Sequence, residues 1–352
     1  MTTPATSPVL QAQALGPQWP TLDPFLFCAH HDDSYPASDG SLGLQAVEFE
    51  GREMGSDFSR KDGWSMYHGD HVPGFPGHPH RGFETVTLVR KGLIDHADSL
   101  GAAARFGCGD VQWVTAGAGI VHSEMFPLLN SDQPNPLELF QIWLNLPAAS
   151  KMVAPHFTMF WDEGIPRLVH ADAQAKRTTV TVIAGTLAGA DPALPPPPES
   201  WASQDAADVA IWTLHLEPGA TWTLPAARGQ GTRRMLYFFA GESLQLGSVL
   251  VDQHAALELV AGQDWALVNT GSTAVECLLL QGRPLNEPVV KYGPFVMNTQ
   301  QQIMQALQDY RRTQFGGWPW AEQDPVHGNA PRRFARLPGQ AEDEVPAART
   351  SE

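Results

Sequence analysis

The chain is a succession of short runs of β-branched and aromatic residues, each cut off by glycine, proline or aspartate. ETVTLVRK (84–91) ends at Gly92, and VQWVT (111–115) lies between Gly109-Asp110 and Gly117. LELFQIWLNL (137–146) stops at Pro147, and TVTVIA (179–184) stops at Gly185. Runs of this length and composition, at this spacing, predict the strands of an all-β sandwich or barrel. The 32 glycines and 30 prolines supply the turns that so many short strands require.

A second set of runs follows: VAIWTLHLEP (209–218), RMLYFFAG (234–241), ALELVAG (256–262), WALVNTG (265–271) and VECLLLQG (275–282). Between the two sets lies ADPALPPPPESWASQDA (190–206), whose four consecutive prolines cannot join a sheet interior and favour an extended connection. The expected division is a flexible lead-in over 1–20, a first β domain over 21–189, a Pro-rich linker over 190–206, a second β domain over 207–320 and a disordered polar tail over 321–352. Near the end one short helix is predicted. Thr299 and Gln302 have capping-box spacing, Ile303, Leu307 and Tyr310 follow at helical period, and Gly316-Gly317 supply a stop.

Charge and cysteine narrow the function classes. The formal net charge of −16 disfavours direct contact with nucleic acid or with an anionic membrane surface. Cys28, Cys108 and Cys277 are far apart and form no CxxC, which excludes a disulfide scaffold and a zinc ribbon and fits a reducing compartment. The first 20 residues lack the basic and apolar regions of a signal peptide, and no stretch of 18 apolar residues occurs. The expected location is the cytoplasm.

Histidine is unevenly placed: ten of the 13 precede residue 200. Two pairs stand out, His78-Pro79-His80 and His122-Ser123-Glu124. In a strand, residues i and i+2 share a face, so each pair presents two ligands side by side. If the two strands are neighbours, three imidazoles and one carboxylate converge. Such a set suits a divalent transition metal. Imidazole accommodates Fe, Zn, Ni and Cu, and the carboxylate shifts preference toward Fe(II) or Mn(II). Four protein ligands leave two octahedral positions open for substrate or O₂, unlike a closed structural zinc site.

The segments GFPGHPHRGFETVTLVRKGLIDHADSLG (74–101), GDVQWVTAGAGIVHSEMFP (109–127) and LELFQIWLNLPAASKM (137–152) resemble the metal-binding barrel of the pirin family, within the cupin superfamily. PLNEPVVKYGPFVMNTQQQIMQALQDY (284–310) resembles that family's C-terminal signature. The resemblance implies a bicupin of two tandem jelly-roll barrels with a short C-terminal helix. It implies His78, His80, His122 and Glu124 as metal ligands, with Fe(II) the usual metal, and a second barrel without metal. Bacterial members resemble quercetin 2,3-dioxygenases. That implies a small aromatic, flavonol-like substrate together with O₂, and Glu124 as the catalytic proton acceptor. Eukaryotic members resemble metal-dependent regulators, which implies protein partners instead.

Weaker candidates surround the motif. His96 is expected to be a hydrogen-bonded structural histidine, His68 and His71 to lie on a loop near the mouth, and Glu84 to make a structural contact. Phe75, Trp113, Phe140 and Trp143 are candidate pocket walls, and Cys108 a turn residue.

Overall fold

A computed structural model describes residues 7–340 and 342–347, and these divide into two compact units. One comprises the described residues up to Ala29 together with Gly164–Asn286, and the other His30–Glu163 together with the described residues from Glu287 on. Both are built from β-strands, as the turn-punctuated runs predict.

The second of these units carries the histidine motifs. Its first sheet runs in the order His156–Phe160, Val111–Thr115, Phe83–Lys91, Asn135–Asn145 and Phe25–Tyr35, the last strand entering the unit at His30. Its second sheet runs Phe334–Arg336, Ala103–Gly107, Leu93–Asp98, Ile120–Met125 and Gly74–His80. Every pairing given for these ten strands is antiparallel. Between the sheets lies an apolar core that includes Val89, Ile94, Phe106, Val114, Ile120, Leu139 and Phe157. Strand parity sorts the side chains: Leu137 and Leu139 point into this core, and Gln141 and Trp143 follow on the same face.

The helix Gln300–Thr313 also belongs to this unit. Its capping box forms as predicted: Thr299 accepts from the Gln302 N–H, and the Gln302 side chain accepts from the Thr299 N–H. Ile303 and Ala306 are buried with Val121, Phe295, Met297 and Phe315, and Leu307 and Tyr310 pack against them. The stop comes earlier than Gly316. Gln314 takes a left-handed conformation and caps the helix, and a single 3₁₀ turn follows it.

The other unit has a seven-stranded sheet in the order Val9–Ala14, Ala255–Leu259, Arg233–Ala240, Val275–Gly282, Ala210–Leu216, Arg177–Ala184, Arg167–Ala171. A four-stranded sheet (Thr221–Leu224, Trp265–Asn269, Leu244–Leu246, Val249–Val251) completes it. Leucine, valine and tryptophan side chains fill its interior.

Three features of the expected division need correction. Residues 7–20 are not a loose lead-in, because Val9–Ala14 pairs with Ala255–Leu259; residues 1–6 lie outside the described residues. The Pro-rich stretch is not a boundary, since the strands on either side of it, Arg177–Ala184 and Ala210–Leu216, pair directly within one sheet. The stretch is the long connection of that hairpin, with Ala190 and Ala193 packed on the core, and the division falls at Gly164.

The tail over 321–352 is not disordered where it is described. Phe334–Arg336 adds an edge strand to Ala103–Gly107, and Arg333 ion-pairs with Asp110 and Glu163. The Ala330 carbonyl accepts from Arg105, and His327 N–H donates to Asp95. Its polar composition hid this because charged partners inside the unit, not apolar periodicity, hold it. No helix among the described residues is long and apolar enough to cross a membrane.

Candidate metal centre

Gly74–His80 and Ile120–Met125 are neighbouring antiparallel strands, with His78 opposite His122 and Phe75 opposite Glu124. A register shift between Phe75 and His78 bends the first strand there. His78, His80 and His122 each offer a ring nitrogen, and these atoms all lie within 4.8 Å of one another. The ring centroids are 4.8, 4.6 and 4.9 Å apart.

Hydrogen bonding settles two of the three tautomers. His78 Nδ1 lies 2.9 Å from the Pro76 carbonyl and His80 Nδ1 lies 3.4 Å from the Pro294 carbonyl. A carbonyl only accepts, so each Nδ1 carries the proton and each Nε2 keeps its lone pair. This is the arrangement metal-ligating histidines adopt. Both ring nitrogens of His122 are sealed from solvent without a hydrogen-bond partner. Burial pushes His78 down to about 4, and His80 and His122 well below the usual imidazole range. All three rings are therefore neutral donors near pH 7. An orphaned buried imidazole between two others with free lone pairs is costly for a chain alone and suits a bound cation.

Glu124 lies beside this cluster, its Oε2 4.0 Å from His122 Nε2. Thr87 Oγ1 lies 3.0 Å from Oε1 and 2.5 Å from Gln141 Oε1 and shares its one proton between these two acceptors, and Gln141 Nε2 donates to Oε2 at 3.1 Å. Burial raises its proton affinity, and the His96 charge and these two hydrogen bonds oppose that shift. The sequence pattern did not single out Thr87 or Gln141. Gln141 left one signal, as a lone polar residue at an inward position of an apolar strand.

The other candidates separate clearly. Phe75 sits edge-on to His78, with centroids 6.3 Å apart, and Trp143 edge-on to His80 at 5.6 Å. Phe140 instead stacks on His30, and Trp113 meets Phe160. His96 is fully buried, 3.4 Å from Asp98, with its ring 5.5 Å from His122. His68 bonds the Gly55 carbonyl and lies edge-on to Phe75, while His71 bonds Asp39 away from the site. Glu84 accepts from Thr115 in the barrel wall. Cys108 occupies a turn with φ +55°. Among the described residues no second metal-competent cluster occurs, so the other unit has none there.

Two β-barrel units, one of them bearing a buried three-histidine cluster compatible with a divalent metal, define a bicupin. The sequence profile named Pirin matches residues 9–144, and the Pirin C-terminal cupin domain profile matches residues 211–316. The chain belongs to the pirin family. It is 36% identical over 68% of its length to a pirin-like protein of Solanum lycopersicum, covering 75% of that protein. It is 35% identical over 68% of its length to a Pseudomonas aeruginosa protein provisionally named a quercetin 2,3-dioxygenase, covering 78% of it. Human pirin is 32% identical over 71% of this chain and 80% of its own. A crystal structure titled quercetin 2,3-dioxygenase from Acinetobacter baumannii superposes with a TM-score of 0.64 at 27% identity, covering 88% of this chain and 96% of that one.

Proposed function

We propose that this chain is a metal-dependent dioxygenase that opens the heterocycle of quercetin-type flavonols with O₂, using iron(II). The observation that carries the reading is the buried His78–His80–His122 cluster with its orphaned His122 nitrogens and an adjacent, hydrogen-bonded carboxylate. His78, His80 and His122 would hold the metal through ring nitrogens, and Glu124 would offer a carboxylate oxygen. Mn, Ni, Zn or Cu would fit the same nitrogen donors. The metal supplies Lewis acidity toward a hydroxyl beside a carbonyl and, as iron(II), redox access to O₂.

The chain's own residues do the rest. Thr87 and Gln141 hold the two oxygens of Glu124 in one orientation, and Glu124 accepts the proton of the flavonol hydroxyl. Phe75 and Trp143 flank the histidines and offer apolar faces and edges to a planar ring. The buried site keeps water from the electron-rich anion. The proposed location is the cytoplasm, in keeping with three cysteines that lie far apart in the sequence and form no CxxC.

The test is O₂ consumption by anaerobically purified, Fe(II)-loaded protein given quercetin, with Glu124→Ala as control. Uptake with CO release, absent in the control, supports the dioxygenase. No uptake at stoichiometric iron overturns it and favours a redox-responsive iron-binding regulator acting through protein partners, which the acidic charge permits.

A further inference from the structure

Asp33, Tyr67 and His31 form a hydrogen-bonded row that the reaction above does not use. Tyr67 Oη donates to Asp33 Oδ2 at 2.7 Å, and His31 Nδ1 lies 2.7 Å from the same Oη. Asp33 is buried, and its other oxygen accepts from the Ser65 N–H at 3.0 Å. A phenol has one proton. With that proton on Asp33, Tyr67 Oη can only accept from His31, so His31 Nδ1 carries hydrogen and His31 Nε2 holds a lone pair. Among the described residues His31 Nε2 has no hydrogen-bond partner.

The row is built at a backbone cost. Tyr67 has φ +58°, a left-handed conformation that a bulky aromatic rarely adopts. Two backbone hydrogen bonds with Asp57 and a bridge to Gly74 hold it there. The result stacks Tyr67 on Phe75 with centroids 5.1 Å apart, and sets the His31 ring edge-on to the same Phe75 at 6.1 Å. Phe75 in turn meets His78 of the metal cluster. His31 therefore stands two ring contacts from the cluster, through Phe75.

We propose that His31 Nε2, backed by Tyr67 and Asp33, is a subsite that accepts a hydrogen bond from a phenolic hydroxyl at the end of the ligand remote from the metal, with Phe75 beside the ring that carries it. The chemistry makes it an acceptor, not a base. Burial lifts Asp33 only to about 6, whereas a phenol ordinarily titrates near ~10, so full transfer runs uphill by about four orders of magnitude. Burial also pushes His31 down to about 4, which keeps its ring neutral and its Nε2 available. The Asp33 charge, relayed through Tyr67, strengthens that acceptor. The subsite rests on the functional reading only for what the metal end of the ligand is.

The test uses metal-free, histidine-labelled full chain and phenol itself, so that it does not depend on dioxygenase activity. Nitrogen NMR should show His31 as the neutral Nδ1–H form, and phenol should shift its Nε2 resonance saturably. Tyr67→Phe keeps the ring on Phe75 but cuts the relay, and should weaken phenol about 10-fold. His31→Leu should reduce the difference in affinity between quercetin and 3-hydroxyflavone, which keeps the hydroxyl beside the carbonyl but lacks quercetin's four phenolic hydroxyls, without weakening 3-hydroxyflavone. An Nε2–H form of His31, no shift with saturating phenol, or equal losses for both flavonols in His31→Leu would each overturn the subsite. Failure of O₂ uptake with the phenol response intact would overturn the dioxygenase reading alone.

Discussion

His78 and His122 face one another across two adjacent antiparallel strands, their ring centroids 4.6 Å apart. One ring is anchored through Nδ1 to a carbonyl, and the other has no anchor at all. The unanchored ring depends most on a cation. His122→Ala is expected to lose bound metal, as is His80→Ala, with the far-ultraviolet circular dichroism of both unchanged. Elemental analysis after dialysis against buffered iron checks this; either variant retaining stoichiometric metal would refute the assignment of that ligand.

Glu124 owes its orientation to Thr87 and Gln141. Gln141→Leu leaves the carboxylate in place with one donor fewer. Metal affinity should fall about 10- to 100-fold, as it does when residues supporting a metal ligand are removed. Competition with a chelator of known affinity measures it. Unchanged affinity would mean that the Gln141 hydrogen bond does not support Glu124 in metal binding.

Glu138 sits under three cationic or potentially cationic groups. His30 is 3.0 Å away, Arg90 2.5 Å and Lys91 2.8 Å. Burial raises its carboxyl, but the His30 hydrogen bond, the Arg90 charge and the Lys91 hydrogen bond outweigh it and hold the group at about 2. A carboxyl depressed in the folded state contributes stability that is complete above its unfolded value, near 4.5, and is lost as pH falls toward about 2. That contribution is at most about 3 kcal/mol. Urea unfolding of Glu138→Gln against the parent should show a gap at pH 7 that narrows below about pH 4.5 and closes only as the pH falls through about 2. A gap independent of pH would show that packing, not charge, is what the substitution removes.

Arg105 and Asp95 form a fully buried two-pronged pair, with both contacts at 2.6 Å. Arg105→Met strands the Asp95 carboxylate and should cost about 3–5 kcal/mol in chemical denaturation. Adding Asp95→Leu should recover part of the loss, because the stranded charge goes with it. No recovery would place the cost in the lost Ala330 and His327 contacts instead.

Local signals were legible wherever one strand carried them. Val111–Thr115 has the predicted bounds because Gly and Asp close it on both sides, and strand adjacency brings the rings of His78, His80 and His122 together, with Glu124 beside them 4.0 Å from His122. What could not be read is pairing between distant segments. Val9–Ala14 lacks an apolar face, yet it closes the edge of a sheet whose other strands begin beyond residue 164. Pro195–Pro198 punctuates a hairpin, although its composition is that of a linker. Asp33, Tyr67 and His31 escaped notice because the residues they join are more than 30 positions apart and Tyr67 lies outside any periodic run.

The unit with the three-histidine cluster takes its first stretch from residues 30–163 and the rest from residues beyond 286, while every residue of the other unit lies before 287. During synthesis the other unit is thus fully available while the histidine-bearing unit still lacks the Pro294 carbonyl that orients His80, the helix behind Val121 and the strand Phe334–Arg336. The three histidines leave the ribosome early but acquire their final surroundings late. A chain interrupted after residue 286 carries all three histidines and Glu124 but lacks the residues from 287 on that complete their unit, so the surroundings of the cluster are finished only when the last part of the polypeptide is made.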